Sequence, residues 1–371
     1  MVHCQGCGKG VGSGPDQPLP FSCPAALPGD DIDHVLVRRI TALPGEALAF
    51  DRSEQRVFAR YRHRLFSRQM ALAGGLDDGL YMRLLGALDN RVATVDGEAF
   101  RRTPLVRMAS LERQAGMQGD GRFWAKVDAG NVSGSHKARH LFGVMLTLQV
   151  DELLRGSRVA DRPRLAIASC GNAALAAAVV ARAADWPLAV FVPPDASAKV
   201  LAQLGELNAI IHICERREGE LGDPCVLRFR ESVASGDLPF CCQGPDNGLT
   251  IEGGETLGYE LVEQLLERSG SIDRLYIQVG GGALASGLIA ALRHAVGLGL
   301  LERLPRIHAV QTRGGHPLVV AWDRLVAQAR ARASDSVEDA PTGDDPASVA
   351  SWLHGRLGSP TPSTSTPSCR W

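Results

Sequence analysis

Lys137 sits in the stretch Asn131-Val132-Ser133-Gly134-Ser135-His136-Lys137-Ala138-Arg139-His140, behind a small Ser-Gly-Ser turn and ahead of a strongly helical run, Leu141 to Leu154. A lysine at a turn-to-helix junction lies near N-terminal helix amides that can also hold an anion. That pairing suits an amine that condenses with a phosphorylated aldehyde. Taken alone, the stretch reads more readily as a surface lysine at a helix start. Two further stretches reverse that weighting.

The first is Ser169-Cys170-Gly171-Asn172-Ala173-Ala174, at the carboxyl end of a strand-like run and opening a helix. Ligands of open α/β sheets bind outside such strand ends. A Ser and an Asn flanking Gly, followed by free helix amides, can hold a carboxylate through main-chain donors, and the asparagine amide can bond a neighbouring aromatic hydroxyl. An ordinary turn with Asn capping stays open as the alternative. The second is Val279-Gly280-Gly281-Gly282-Ala283-Leu284-Ala285-Ser286-Gly287. Three glycines after a buried strand let successive amides approach a phosphate, and the following helix adds its positive end. The same residues fit Gly-x-Gly-x-x-Ala, which raises a dinucleotide-binding alternative. That fingerprint wants an acidic residue about twenty positions on, at the end of the next strand. Here that strand ends Val310-Gln311-Thr312 and Glu302 precedes it, so the dinucleotide reading weakens.

The elements that would position these residues alternate. Strands are predicted at Arg164–Cys170, Leu188–Val192, Ala209–Cys214, Phe240–Gln243, Arg274–Val279 and Arg306–Thr312. Helices are predicted near 173–184, 196–207, 224–235, 254–268 and 283–296, with a last helix-like segment at Pro317–Arg332. This pattern predicts an α/β architecture with parallel or mixed sheets flanked by helices and right-handed crossovers. Upstream, Arg102–Val106 and Phe123–Val127 read as strands leading to the lysine turn. Arg52 to Met70, with Val57, Phe58, Tyr61, Leu65 and Phe66 at helix spacing, reads as a packing helix that could serve a subunit contact.

Composition limits the partners. The 371 residues are 45% hydrophobic and 22% charged with a formal net charge of -1, large enough for two domains and without a basic stripe. Nucleic acid and membrane surfaces are therefore not expected partners. No apolar run reaches ~18 residues and no leader pattern opens the chain, which points to the cytoplasm. Nine cysteines, including the adjacent Cys241-Cys242, fit reduced thiols better than a disulfide framework.

At the start, Cys4-Gln5-Gly6-Cys7-Gly8 makes a good half of a zinc knuckle, but only Cys23 follows in Phe21-Ser22-Cys23-Pro24. His3 or His34 would have to complete the set. The expectation is a degenerate, zinc-ribbon-like cap without metal, leaving Cys4, Cys7 and Cys23 as weak zinc candidates.

Together the three central stretches resemble the pyridoxal-phosphate enzymes of fold type II, the tryptophan synthase β superfamily, which includes threonine synthase, threonine and serine dehydratases and cysteine synthase. Order and spacing agree across about 100–315. The N-terminal Cys-x-x-Cys-Gly is similar to the ribbon that opens many threonine synthases. The resemblance implies a two-domain fold and pyridoxal 5'-phosphate as cofactor. Lys137 would then hold the cofactor as a Schiff base and act as catalytic base. Asn172 would bond the cofactor's ring hydroxyl, and Gly280, Gly281, Gly282, Ala283 and Leu284 would bind its phosphate. Ser169, Gly171 and Ala173 would hold the substrate carboxylate, while Arg139 and Glu252 would pair structurally.

The implied function is elimination or replacement on a small amino acid. Threonine synthase-like conversion of O-phosphohomoserine stands first; serine/threonine dehydration or cysteine synthase-like β-replacement is the alternative. One family feature has no candidate: no Ser or Thr in a strand-end context follows Thr312 to face the pyridine nitrogen. A shortened or degenerate relative that binds cofactor without turnover is thus a further reading. The expected organisation is an N-terminal Cys-containing extension (1–45), a helical extension (46–95), a catalytic region (96–330) and a disordered tail (331–371). Within the catalytic region a small domain spans about 140–245 and a large domain 96–139 plus 246–330. A homodimer is expected.

Overall fold

Three brief strands open the chain: β1 (Val2–Cys4), β2 (Gly10–Val11) and β3 (Leu36–Arg38), with β1 central and antiparallel to both neighbours. The computed structural model describes residues 2–12, 17–27, 30, 32, 34–38, 50–117, 122–268 and 270–333. The tail expected from 331 therefore falls almost wholly outside the described residues.

The single helix expected over Arg52–Met70 is instead α1 (Val57–Arg60), a 3-10 turn (Arg62–Arg64) and α2 (Phe66–Ala73), followed by α3 (Asp78–Asp96). The restart has a local cause: the buried carboxylate of Glu252 accepts from the amide of Phe66 at 2.7 Å, taking the hydrogen that a continuous helix would use internally. Val57, Phe58, Tyr61 and Leu65 are buried within this chain, so their apolar surface serves the core and not a subunit contact. Phe58 packs against Phe100 and Phe142 at ring-centroid distances of 5.0 and 4.4 Å.

An antiparallel pair follows, β4 (Leu105–Arg107) and β5 (Trp124–Lys126), with α4 (Ala109–Gln114) between them. It leads through a 3-10 turn, Val132–Gly134, into α5 (Lys137–Arg155), buried from Ala138 to Val150. Burial on all sides explains why this helix reads as apolar without a polar face.

Next comes the alternating series: β6 (Leu165–Ala168), α6 (Asn172–Ala183), β7 (Leu188–Val192), α7 (Ala198–Glu206), β8 (Ile210–Ile213), α8 (Pro224–Ala234) and β9 (Leu238–Pro239). The strands are parallel in the order β8-β7-β6-β9. The chain thus steps outward from β6 to β8, then returns to the other side of β6. Right-handed crossovers accordingly put α8 on the face opposite α6 and α7. β9 lies two residues before the predicted Phe240–Gln243. Its pairing ends at Pro239, which has no amide hydrogen, apart from one bond from Phe240 N to Ala166 O at 2.8 Å. The final elements are α9 (Thr250–Glu267), β10 (Arg274–Gln278), α10 (Ala283–Gly297), β11 (Arg306–Val310) and α11 (Pro317–Ala333), with β10 and β11 a parallel pair. No helix among the described residues is long and apolar enough to cross a membrane.

Candidate active site

Lys137 is the first residue of α5, and the backbone before it is strained. Ser133 has φ 53 and ψ 22, a left-handed conformation that costs a residue with a Cβ on the order of 1 kcal/mol. Two side chains hold it: Asn131 accepts from its neighbour Val132 N at 3.0 Å, and Asp96, ending α3, accepts from Ser133 N at 3.0 Å. Lys137 is half-buried, and its amine makes no hydrogen bond or ion pair with a described residue.

The amine's neighbours are buried groups. Burial, then the positive charges nearby, lowers His140 to about 3 and keeps its ring neutral at pH 7. His140 Nδ1 is 2.7 Å from the carbonyl of Thr250, while Nε2 has no partner. His136, 5.3 Å from His140 ring to ring, is likewise driven down by burial and leaves Nδ1 unpartnered. Burial pushes the Cys242 thiol up, and the Lys137 ammonium beside it acts against that. Ser133 Oγ is also buried without a partner.

Asn172 begins α6 and is exposed, just past the carboxyl end of β6. The first bond of that helix runs from Leu175 N to Gly171 O, so the amides of Asn172, Ala173 and Ala174 lack helical acceptors. Gly171 N donates to Ser169 Oγ at 3.4 Å, and Ser169, Gly171 and Ala173 are all half-buried. β6 is where the strand order reverses, the position at which open α/β sheets leave a crevice for ligands. Cys242, which follows β9 on the other side of that reversal, feels the charge of Lys137.

Gly280, Gly281 and Gly282 link β10 to α10, the first two exposed. Gly282 has φ +87, which a side chain would strain, and a Cβ at Gly281 or Gly282 would meet nothing within 4 Å. The first bond of α10 runs from Ser286 N to Gly282 O, so the amides of Ala283 and Leu284 point along the helix axis without acceptors. The loop is an open cradle of donors.

What joins these parts is α9, whose role the sequence reading missed. A Cβ at Gly253 would lie 1.9 Å from the carbonyl oxygen of Arg139, and one at Gly254 would lie 2.2 Å from the His140 ring. On α10, a Cβ at Gly287 would lie 2.8 Å from the Gly254 backbone. Backbone contact therefore runs from the lysine helix through α9 to the helix of the glycine loop. The signal was a Gly-Gly pair inside a helical stretch, which marks close approach. Buried charge reinforces the junction. Arg139 bonds Asp128 at 3.0 Å and Glu260 at 2.7 Å, and Lys126 bonds Glu260 at 2.7 Å. Burial would raise the Glu260 carboxyl, but Arg139 and Lys126 hold it below the usual range. Arg60 and Tyr61 bind Glu263, and Arg38 lies 3.2 Å from Glu252 and 3.3 Å from Glu255. The zinc candidates Cys4, Cys7 and Cys23 belong to the β1–β3 unit and not to the lysine turn.

These residues fit a phosphorylated aldehyde cofactor: an unpaired amine, two helix N-termini with open amides, and buried polar atoms still lacking partners. A family model described as pyridoxal-phosphate dependent enzyme matches residues 98–354. The chain is 30% identical over 223 residues to a serine dehydratase-like protein of Rattus norvegicus, covering 60% of each chain. It is 28% identical over 223 residues to an L-serine dehydratase of Saccharomyces cerevisiae, covering 58% of this chain and 62% of the relative. With a threonine synthase of Mycobacterium bovis it shares 28% over 222 residues, 59% of this chain and 55% of the relative. The chain spans about 60% of the length of the curated relatives it matches.

Proposed function

This chain belongs to the pyridoxal-phosphate-dependent enzyme family, the fold type II or tryptophan synthase β superfamily, and on that premise we propose that it converts serine or threonine to a 2-keto acid and ammonia. The observation that carries the reading is the convergence on α9 of an unpaired lysine amine and a glycine cradle, with the asparagine turn at the reversal of the β6 sheet. Relatives named as serine dehydratases favour dehydration over the γ-replacement that the sequence put first.

When bound, pyridoxal phosphate supplies an electron sink for charge left at the substrate's α-carbon. Lys137 Nζ would hold the cofactor covalently and, once displaced by the substrate amine, take the α-proton. Amides of Gly280, Gly281, Gly282, Ala283 and Leu284 would hold the phosphate against the positive end of α10. The Asn172 side chain would orient the ring through its hydroxyl. Ser169 Oγ, with the amides of Gly171 and Ala173, would hold the substrate carboxylate. His136 and His140, held neutral, add no positive charge beside the amine. The division into a small domain of about 140–245 and a large one of 96–139 plus 246–330, and a homodimeric state, belong to the same proposal.

Full-length protein incubated with pyridoxal phosphate should acquire the cofactor's visible absorbance and release 2-keto acid from L-serine or L-threonine. Lys137→Ala should lose both while keeping its circular dichroism spectrum. A protein that stays colourless with added cofactor would sink the reading. A second reading, threonine synthase-like chemistry, is favoured by the N-terminal ribbon and the Mycobacterium bovis relative; threonine and phosphate from O-phosphohomoserine would select it. Colour without turnover on any of these substrates would select a binding relative.

A further inference from the structure

Cys4, Cys7, Cys23 and His34 each place one ligand atom within 4.8 Å of the others, the one such group among the described residues. We propose that these four side chains hold a structural zinc ion. Cys7 Sγ lies 3.7 Å from Cys23 Sγ, and Cys4 Sγ lies 3.4 Å from His34 Nδ1. A tetrahedral zinc with Zn–S of ~2.3 Å and Zn–N of ~2.0–2.1 Å separates its ligands by roughly 3.8 Å between sulfurs and roughly 3.5 Å between sulfur and nitrogen. These two edges match that tetrahedron, and all the ligand atoms lie within 4.8 Å of one another.

Hydrogen bonds surround the four side chains in a way that suits metal ligands. Amide N–H groups point at two of the sulfurs, Cys7 N to Cys4 Sγ at 3.5 Å and Ala25 N to Cys23 Sγ at 3.4 Å. On the far side of the imidazole, His34 Nε2 lies 3.0 Å from Asp30 Oδ2. That bond places the proton on Nε2 and leaves Nδ1 bare as a ligand. Asp30 is itself fixed, because its carboxylate accepts from the amides of Leu27 and Ile32. Three of the four ligand residues are buried and only Cys7 reaches the surface. Four protein donors leave no open position, so the ion would be structural and not catalytic.

The fourth ligand is His34; His3, the other sequence candidate, is not in the group. The ion would close a unit of two- and three-residue strands that is too small to be stable through its own core. That unit bears on the active site. Its β3 delivers Arg38 to Glu252 and Glu255, and Phe21 O accepts from Gly248 N at 2.7 Å just before α9.

The test is metal content of the full chain, purified under reducing conditions and washed with a chelator. One equivalent of zinc is expected, and cobalt loaded in its place should give the absorbance of a tetrahedral thiolate site. Cys7→Ser, at the exposed ligand, and His34→Ala should lose most of the metal. His34→Cys and His3→Ala should keep it. Asp30→Asn should weaken affinity by about 10–100-fold. Lys137→Ala should keep its zinc, which separates this site from the cofactor reading. Substoichiometric zinc in the unmutated chain after anaerobic reconstitution would overturn the proposal. So would equal retention by His34→Ala, or a Cys7–Cys23 disulfide in anaerobically handled protein.

Discussion

The sheet β8-β7-β6-β9 and the pair β10–β11 are built from the same kind of short apolar parallel strand, yet they meet solvent differently. Every residue of β6 and β7 is buried. On β10 only Ile277 is buried, packing with Val279, Leu257 and Leu288, while Tyr276 is 57% exposed; on β11, Val310 is 46% exposed. Parallel strands are ordinarily covered on both faces. The asparagine turn therefore follows a fully covered strand, β6, and the glycine cradle a half-covered one, β10. The two sides of one candidate site should differ in local stability.

The largest effect should come from the helix that spans both halves. Gly253→Ala puts a methyl into the Arg139 carbonyl, and should cost about 3 kcal/mol or more in urea unfolding or prevent folding. Gly281→Ala, facing open space in the cradle, should stay within about 0.5 kcal/mol. Equal losses would remove α9 as the link.

Acid should act next, through the covered side. His140 binds a proton far more weakly when folded, at about 3, than its ordinary 6.5. The unfolded chain then takes up more protons, so stability falls as pH drops from 6.5 toward 3. His140→Gln should flatten that limb, and an unchanged pH profile would show that burial there is incomplete. Glu252 tilts the other way. Burial raises its carboxyl to about 7 despite Arg38, so its contribution is full below pH 4.5 and is lost as pH rises through 7. Glu252→Gln should therefore gain on the unmutated chain between pH 5 and pH 8 in thermal melts.

Native-state hydrogen exchange compares the sheets directly: amides of β6 and β7 should exchange at least about tenfold more slowly than those of β10 and β11. Equal protection would mean that β10–β11 is covered in solution. The smallest effect is expected at the open face, where Tyr276→Ser should change stability by about 0.5 kcal/mol or less.

How much of this was readable follows from locality. Leu188–Val192 emerged with its predicted bounds because a strand buried on both faces is a continuous apolar run. The lysine, asparagine and glycine stretches were legible because each is a local junction at a helix N-terminus. β9 was misplaced because an apolar Phe240-Cys241-Cys242 run looks like a strand, whereas pairing depends on a proline one residue earlier. α9 starts at Thr250, before the expected 254, and its Gly253-Gly254 pair lies inside the helix as close contacts. The break before Phe66 and the choice of His34 over His3 depend on partners 186 and 30 residues away, which no local pattern encodes.

The glycine contacts of α9 have one more consequence. Where helices touch through side chains, a change of residue size moves them apart. Here peptide groups touch, so the separation between the lysine turn and the glycine cradle is set by van der Waals contact between main-chain atoms. The apolar residues around the junction can drift during evolution without altering that spacing, and the tolerance of the site ends abruptly at glycines such as Gly253, Gly254, Gly258 and Gly287.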